Sequence, residues 1–201
     1  MYLHKGLQFI SIAITVLLLS ACSGRSNTSS TSVQGDTITL RYSENLSIVD
    51  YEDYTLAQLR NPWDTTKILH TYILVDKEQK LPEELPAGTI VRTPLSKAVI
   101  YSSVHCSLLK KLGALGSIGG VCDLKYINQP WIKEQCRLGR IADCGDASTP
   151  TLEKIIDINA DAILISPFQN SGGYGRLDEW GNPIIETADY METSALGLSL
   201  I

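Results

Sequence analysis

Histidine, the most common catalytic base and metal ligand, is almost missing from this chain, which has 3 in 201 residues. His4 lies in a leader segment, and His70 sits in an alternating strand pattern, where a lone histidine is ordinarily structural. Only His105 stands beside a strand-to-helix turn. A zinc-type centre needs three or four Cys, His or carboxylate ligands at fixed geometry, so no metal site is expected. CxxC spacing is absent, which weakens zinc and thioredoxin-like chemistry. Glycines are missing around Ser102 and Ser103, whose neighbours are Tyr101 and Val104. The GxSxG elbow of a hydrolase is therefore not formed. The glycine-dense "GALGSIGG", Gly113 to Gly120, follows a helix pattern and precedes a strand, so it reads as a connection and not as a nucleotide loop. Positive charge is scarce as well. A net charge of -5 with 19% charged residues leaves no basic patch, and nucleic acid is not an expected partner.

The chain also lacks an apolar run of the roughly 20 residues that a permanent membrane helix needs. "FISIAITVLLL", Phe9 to Leu19, is shorter and follows His4 and Lys5, the arrangement of an export signal. Leu19, Ser20, Ala21 and Cys22 resemble the bacterial lipobox, which implies cleavage before Cys22 and a lipid on that cysteine. Residues 1–21 are then signal peptide, and the Ser- and Thr-rich stretch 22–36 is a tether too polar to order itself. Four cysteines remain: Cys106, Cys122, Cys136 and Cys144. An exported chain permits disulfides, and four cysteines allow three connectivities, so disulfides and buried thiols both stay open.

Residues 37–96 read as a small antiparallel β extension. Its strands are "TITLRY", "LSIVDY" and "KILHTYILV", with "NPWD" as a turn and Pro82, Pro86 and Gly88 marking an extended passage. From Lys97 the pattern changes to repeated strand, turn and helix. "KAVIY", "IGGVCD", "RIAD" and "ADAILISP" supply four buried strands, of the kind that parallel sheets use. The helix "SVHCSLLKKLGAL" places Val104, Leu108, Leu109 and Leu112 at helical spacing and stops at Gly113. "WIKEQCRLG" forms a second helix, and "TLEKIIDIN" a third, capped by Ser148 or Thr149 with Pro150 near its first position. The fold class is α/β: an open, mostly parallel, Rossmann-like sheet over residues 97–190, with the β extension before it.

Ligands meet such sheets at the loops that follow the carboxyl ends of the strands. Those loops here are "SSVH", "CDLKYI", "CGDAS" and "SPFQNSGGYG". A helix beginning near Ser103 offers free N–H groups to a polar ligand edge, with Ser103 as its cap and His105 toward the ligand. Tyr126, Phe168 and Tyr174 add flat apolar area with polar handles.

The lipobox, the "KAVIYSSVHCSLLKKLGAL" unit, "IGGVCDLKYI", "TPTLEKIIDINADAILI" and "ADYMETSALG" together resemble the periplasmic substrate-binding lipoproteins of iron-siderophore and vitamin B12 ABC transporters, Bacteroidetes-type versions above all. The resemblance implies the N-terminal lobe of a two-lobe, helix-linked binding protein. That lobe would sit in the cell envelope and hand a small metal chelate carrying iron or cobalt, or a haem-like ligand, to an inner-membrane permease. It implies no cofactor of the protein's own and no catalysis. Carried onto this chain, the ligand-facing residues are Ser102, Ser103, His105, Asp123, Tyr126, Gly145, Asp146, Phe168, Gln169 and Tyr174. The likeness reaches Met191 to Gly197, where the family's connecting helix begins, and only "LSLI" follows, so residues 191–201 are expected to be a truncated start of that helix. Two other functions compete: a lipid-anchored serine hydrolase using Ser102 or Ser103 with His105, and a surface module worked by residues 37–75. Adjacent residues at a helix start rarely pair, which disfavours the hydrolase.

Overall fold

Short runs of β-branched and apolar residues, separated by polar turns, build the first of two five-stranded sheets. The computed structural model describes residues 35–167, 175–188 and 191. Strands β1 (Asp36–Ile38), β2 (Leu46–Asp50), β3 (Thr55–Arg60), β4 (Ile68–Asp76) and β5 (Thr89–Thr93) lie in sequential order. The pairs from β1 to β4 are antiparallel, but β5 runs parallel to β4, with Tyr72 opposite Thr89. This departs from the expected all-antiparallel extension. The proline-marked passage 77–88 carries the chain back along β4, and a parallel neighbour needs a return of about a dozen residues. Strand β3 was not anticipated, because "TLAQLR" has one β-branched residue and no strict apolar alternation. Its place is fixed from both sides, Ala57 facing Ile48 and Tyr72 across the ladders.

The second sheet is wholly parallel. Strand β6 (Ala98–Ile100) leads to helix α1 (Ser103–Lys111), β7 (Ile118–Val121) to helix α2 (Pro130–Arg137), and β8 (Ala142–Asp143) to a small antiparallel pair, β9 (Gly145–Asp146) and β10 (Thr149–Pro150). Helix α3 (Leu152–Ile158) then precedes β11 (Ala162–Ile165), and a 3₁₀ segment Gly175–Trp180 precedes β12 (Ile184–Glu186). The order across the sheet is β12-β11-β6-β7-β8. Strand order therefore reverses between β6 and β11, the position at which neighbouring loops diverge and leave a crevice. Strand β12 adds a fifth member to the four read from the sequence.

Alternate residues supply two cores, one on each face. Val99, Cys122, Cys144, Ile155, Ile163 and Ile165 pack together on the α3 side. Ala98, Ile100, Cys106, Val121, Ile127 and Ile132 pack on the side of α1 and α2. Gly113 and Gly139 end α1 and α2 with φ of 71° and 68°, a conformation that disfavours other residues. Helix α3 differs from expectation at its start. Thr151 is its N-cap residue, and Thr149 and Pro150 instead form β10. Ile185 of β12 packs against the buried face of the first sheet, and the Tyr72 hydroxyl accepts the Glu186 N–H at 2.8 Å. Among the described residues no helix is long and apolar enough to cross a membrane.

Candidate ligand-binding cleft

Strand β6 is buried along its length, and Tyr101 continues it to the edge of the sheet. There Ser102, still extended with φ of -127° and ψ of 138°, caps α1 by accepting the Val104 N–H at 3.1 Å. The cap is thus Ser102, not Ser103: extended backbone at Ser102 aims its Oγ at the second helical amide. Ser103 is the first helical residue, and its carbonyl accepts the Ser107 hydroxyl at 3.0 Å. No acidic residue occupies the first turn of α1, which leaves the positive end of the helix dipole without a carboxylate of its own helix.

The loop after β7 turns sharply at Asp123, whose φ of 52° is left-handed, a region aspartate tolerates better than most residues. Its N–H donates to the Gly145 carbonyl at 2.7 Å, and its Oδ1 accepts the Ala147 N–H at 3.4 Å. The β7 and β8 loops are therefore tied through Asp123. Tyr126 stands 65% exposed, and the Lys125 ammonium lies 4.8 Å from its ring centroid. Lys125 also lies 3.6 Å from Asp146 Oδ2. Asp146 Oδ1 accepts the Ser148 hydroxyl at 2.6 Å and the Ser148 N–H at 2.9 Å, and these bonds hold its carboxyl below the usual aspartate range.

These loops enclose a cleft of about 430 Å³ lined by Tyr101, Ser102, Ser103, Asp123, Tyr126, Asp146, Ala147, Ser148, Ile165 and Ser166. It lies at the carboxyl ends of β6, β7, β8 and β11, across the reversal of strand order. Five of the ten sequence-nominated residues meet in it: Ser102, Ser103, Asp123, Tyr126 and Asp146. Gly145 does not line it and turns the chain at φ of 87°. Phe168, Gln169 and Tyr174, like Cys22, lie outside the described residues.

His105 is a correction. It is 2% exposed, it does not line the cleft, and its Nε2 is 2.6 Å from Thr187 Oγ1. The third residue of α1 faces inward under the sheet edge, whereas a ligand-facing residue must sit on the strand-side turn itself. Of the groups named for the competing hydrolase, Ser102 Oγ accepts the Val104 N–H and His105 Nε2 meets Thr187 Oγ1. Among the described residues there is no group of three or more His, Cys, Asp or Glu side chains able to hold a metal ion. Tyr101, Ser148 and Ser166 line the cleft but were not nominated from sequence as ligand-facing. Tyr101 and Ser166 directly follow β6 and β11, so the carboxyl-end rule applied one residue at a time would have found them, whereas Ser148 is brought in by the β9–β10 turn.

No family model matches the chain. An uncharacterized lipoprotein of Methanocaldococcus jannaschii, MJ0878, is 25% identical over 79% of this chain and 43% of its own. Among solved structures, the petrobactin-binding protein YclQ of Bacillus subtilis is 18% identical with a TM-score of 0.41, covering 65% of this chain and 37% of that one. The periplasmic vitamin B12 binding protein BtuF of Vibrio cholerae is 18% identical with a TM-score of 0.35, over 46% and 34%. Staphylococcus aureus SirA is 20% identical with a TM-score of 0.36, over 51% and 39%. The chain thus spans less than half the length of each of these four proteins.

Proposed function

We propose that this chain binds a small metal chelate, of the iron-siderophore or cobalamin class, at the carboxyl end of its parallel sheet, and presents it to an ABC permease. The observation that carries the reading is the cleft at the strand-order reversal, where Ser102, Ser103, Asp123, Tyr126 and Asp146 converge from three separate loops. Its hydroxyls and amides suit the polar rim of a chelate, and the Tyr126 face suits a flat apolar part. Phe168, Gln169 and Tyr174 follow β11 in the chain, and the sequence resemblance nominates them as further ligand contacts. The sequence resemblance supplies the ligand class and the partner permease. A lipid on Cys22 with a tether over 22–36 would hold the domain at the envelope, and the naming of MJ0878 as a lipoprotein supports that reading.

Titration calorimetry against ferric catecholate, ferric hydroxamate and cobalamin tests the proposal. Saturable binding of one class, weakened about fivefold to tenfold by Tyr126→Ala, is the expected result. No saturable binding by any of the three would refute it. Labelling of Ser102 or Ser103 by a serine-directed phosphonate would replace it with the hydrolase. Radiolabelled palmitate on wild type and not on Cys22→Ser tests the anchor.

A further inference from the structure

The fold sorts four cysteines by face. Cys106 and Cys136 belong to the core under α1 and α2. Cys122 and Cys144 belong to the core on the α3 side. A sheet separates the two groups, so of the three connectivities open to four cysteines, only Cys106 with Cys136 and Cys122 with Cys144 fits this topology.

Cys122 and Cys144 are also in register. Val121 faces Asp143 across the β7–β8 ladder, and the Cys144 N–H donates to the Val121 carbonyl at 2.8 Å. One residue further along each strand, the two cysteines stand side by side on one face. Neighbouring strands lie about 4.8 Å apart, inside the Cα spacing of about 4.4–6.8 Å that a disulfide spans. Space for the sulfurs comes from Gly120, where an added Cβ would sit 2.9 Å from Cys144 Sγ. Both cysteines are free thiols in the described structure and are fully buried.

We propose that Cys122 and Cys144 form a disulfide that staples the carboxyl ends of β7 and β8, directly behind the loops bearing Asp123 and Asp146. The oxidant is a disulfide-carrying thiol donor, either a protein thiol oxidase or glutathione disulfide, which reaches the cysteines before the core closes. The Cys144 thiolate attacks one donor sulfur and releases a donor thiolate, which takes up a proton, leaving a mixed disulfide. Cys122 loses its proton to solvent and its thiolate attacks the Cys144 sulfur, expelling the second donor thiolate, which takes up a proton. Two cysteine thiols are oxidised and one donor disulfide is reduced. This assignment rests on the fold and on the export that the lipobox implies, and stands whatever ligand occupies the cleft.

The reduced, denatured full chain is refolded in glutathione disulfide buffer, free thiols are trapped with a maleimide in acid, and the peptides are mapped by mass spectrometry. The expected map joins the Cys122 peptide to the Cys144 peptide, and the link persists in the Cys106→Ser/Cys136→Ser double variant. Closing the loop of about 23 residues between them should favour the folded state about 300-fold over the reduced chain. Maleimide on both Cys122 and Cys144 after native circular dichroism has returned would overturn the proposal, as would dominant linkage of either to Cys106 or Cys136. The wild-type map decides even if the double variant does not refold.

Discussion

Replacing Asp161 by asparagine perturbs the clamp that sets β6 against β11, the two strands on either side of the cleft. Asp161 Oδ2 accepts the Lys77 ammonium at 2.8 Å, the Lys97 N–H at 3.0 Å and the Ser96 N–H, while its own N–H donates to the Lys97 carbonyl at 2.7 Å. The backbone bond survives the substitution, but charge assistance to three donors does not. Hydrogen bonds to charged groups contribute about 1.5–3 kcal/mol. The Asp161 and Lys77 side chains are 23% and 29% exposed, so with solvent screening the expected loss is about 1–2 kcal/mol. Partial burial pushes the Asp161 carboxyl up, but the bonds from Lys77, Ser96 and Lys97 outweigh it, and the net position is below the ordinary value. A depressed carboxylate contributes stability that is present above its unfolded pKa, about 4, and is lost as pH falls through the folded value. Urea unfolding followed by tryptophan fluorescence should therefore show a full gap between wild type and variant near pH 7, closing below about pH 4. A gap under about 0.5 kcal/mol at neutral pH, or one that stays constant into acid, would refute the reasoning.

Ser102→Ala removes the α1 cap and should cost about 1 kcal/mol in the same urea assay, with Ser103→Ala changing stability by less than half of that. Gly120→Ala should cost about 1–3 kcal/mol, because the new methyl meets Ile158 Cδ1 at 2.5 Å and Cys144 Sγ at 2.9 Å. Tyr101→Phe should leave stability unchanged or raise it by up to about 1 kcal/mol in thermal unfolding. The reason is that the buried Tyr101 hydroxyl has no hydrogen-bond partner among the described residues.

The parallel sheet was legible because its strands are short, apolar and separated by helix patterns that end in glycine, as at Gly113 and Gly139. Those features also located the loops bearing Ser102, Asp123, Tyr126 and Asp146. Strand β12 was not legible, since "IIE" is three residues long and gains its place from pairing with Ile163 to Ile165. His105 was misplaced because a residue two positions into a helix can face either the turn or the core. Here Thr187, 82 residues away in the chain, decides for the core. The Ser102 cap depended on backbone angles that two adjacent serines do not reveal.

The central claim is that ligand meets the carboxyl-end loops of the parallel sheet. Amide NMR shifts of the labelled chain, titrated with a gallium(III) siderophore complex and with cyanocobalamin, test it most directly. The account predicts that one ligand shifts the amides of Ser103, Val104, Asp123, Lys125, Asp146 and Ser166 together, leaving β2 to β4 unmoved. Shifts confined to the first sheet, or none with either ligand at saturating concentration, would contradict it.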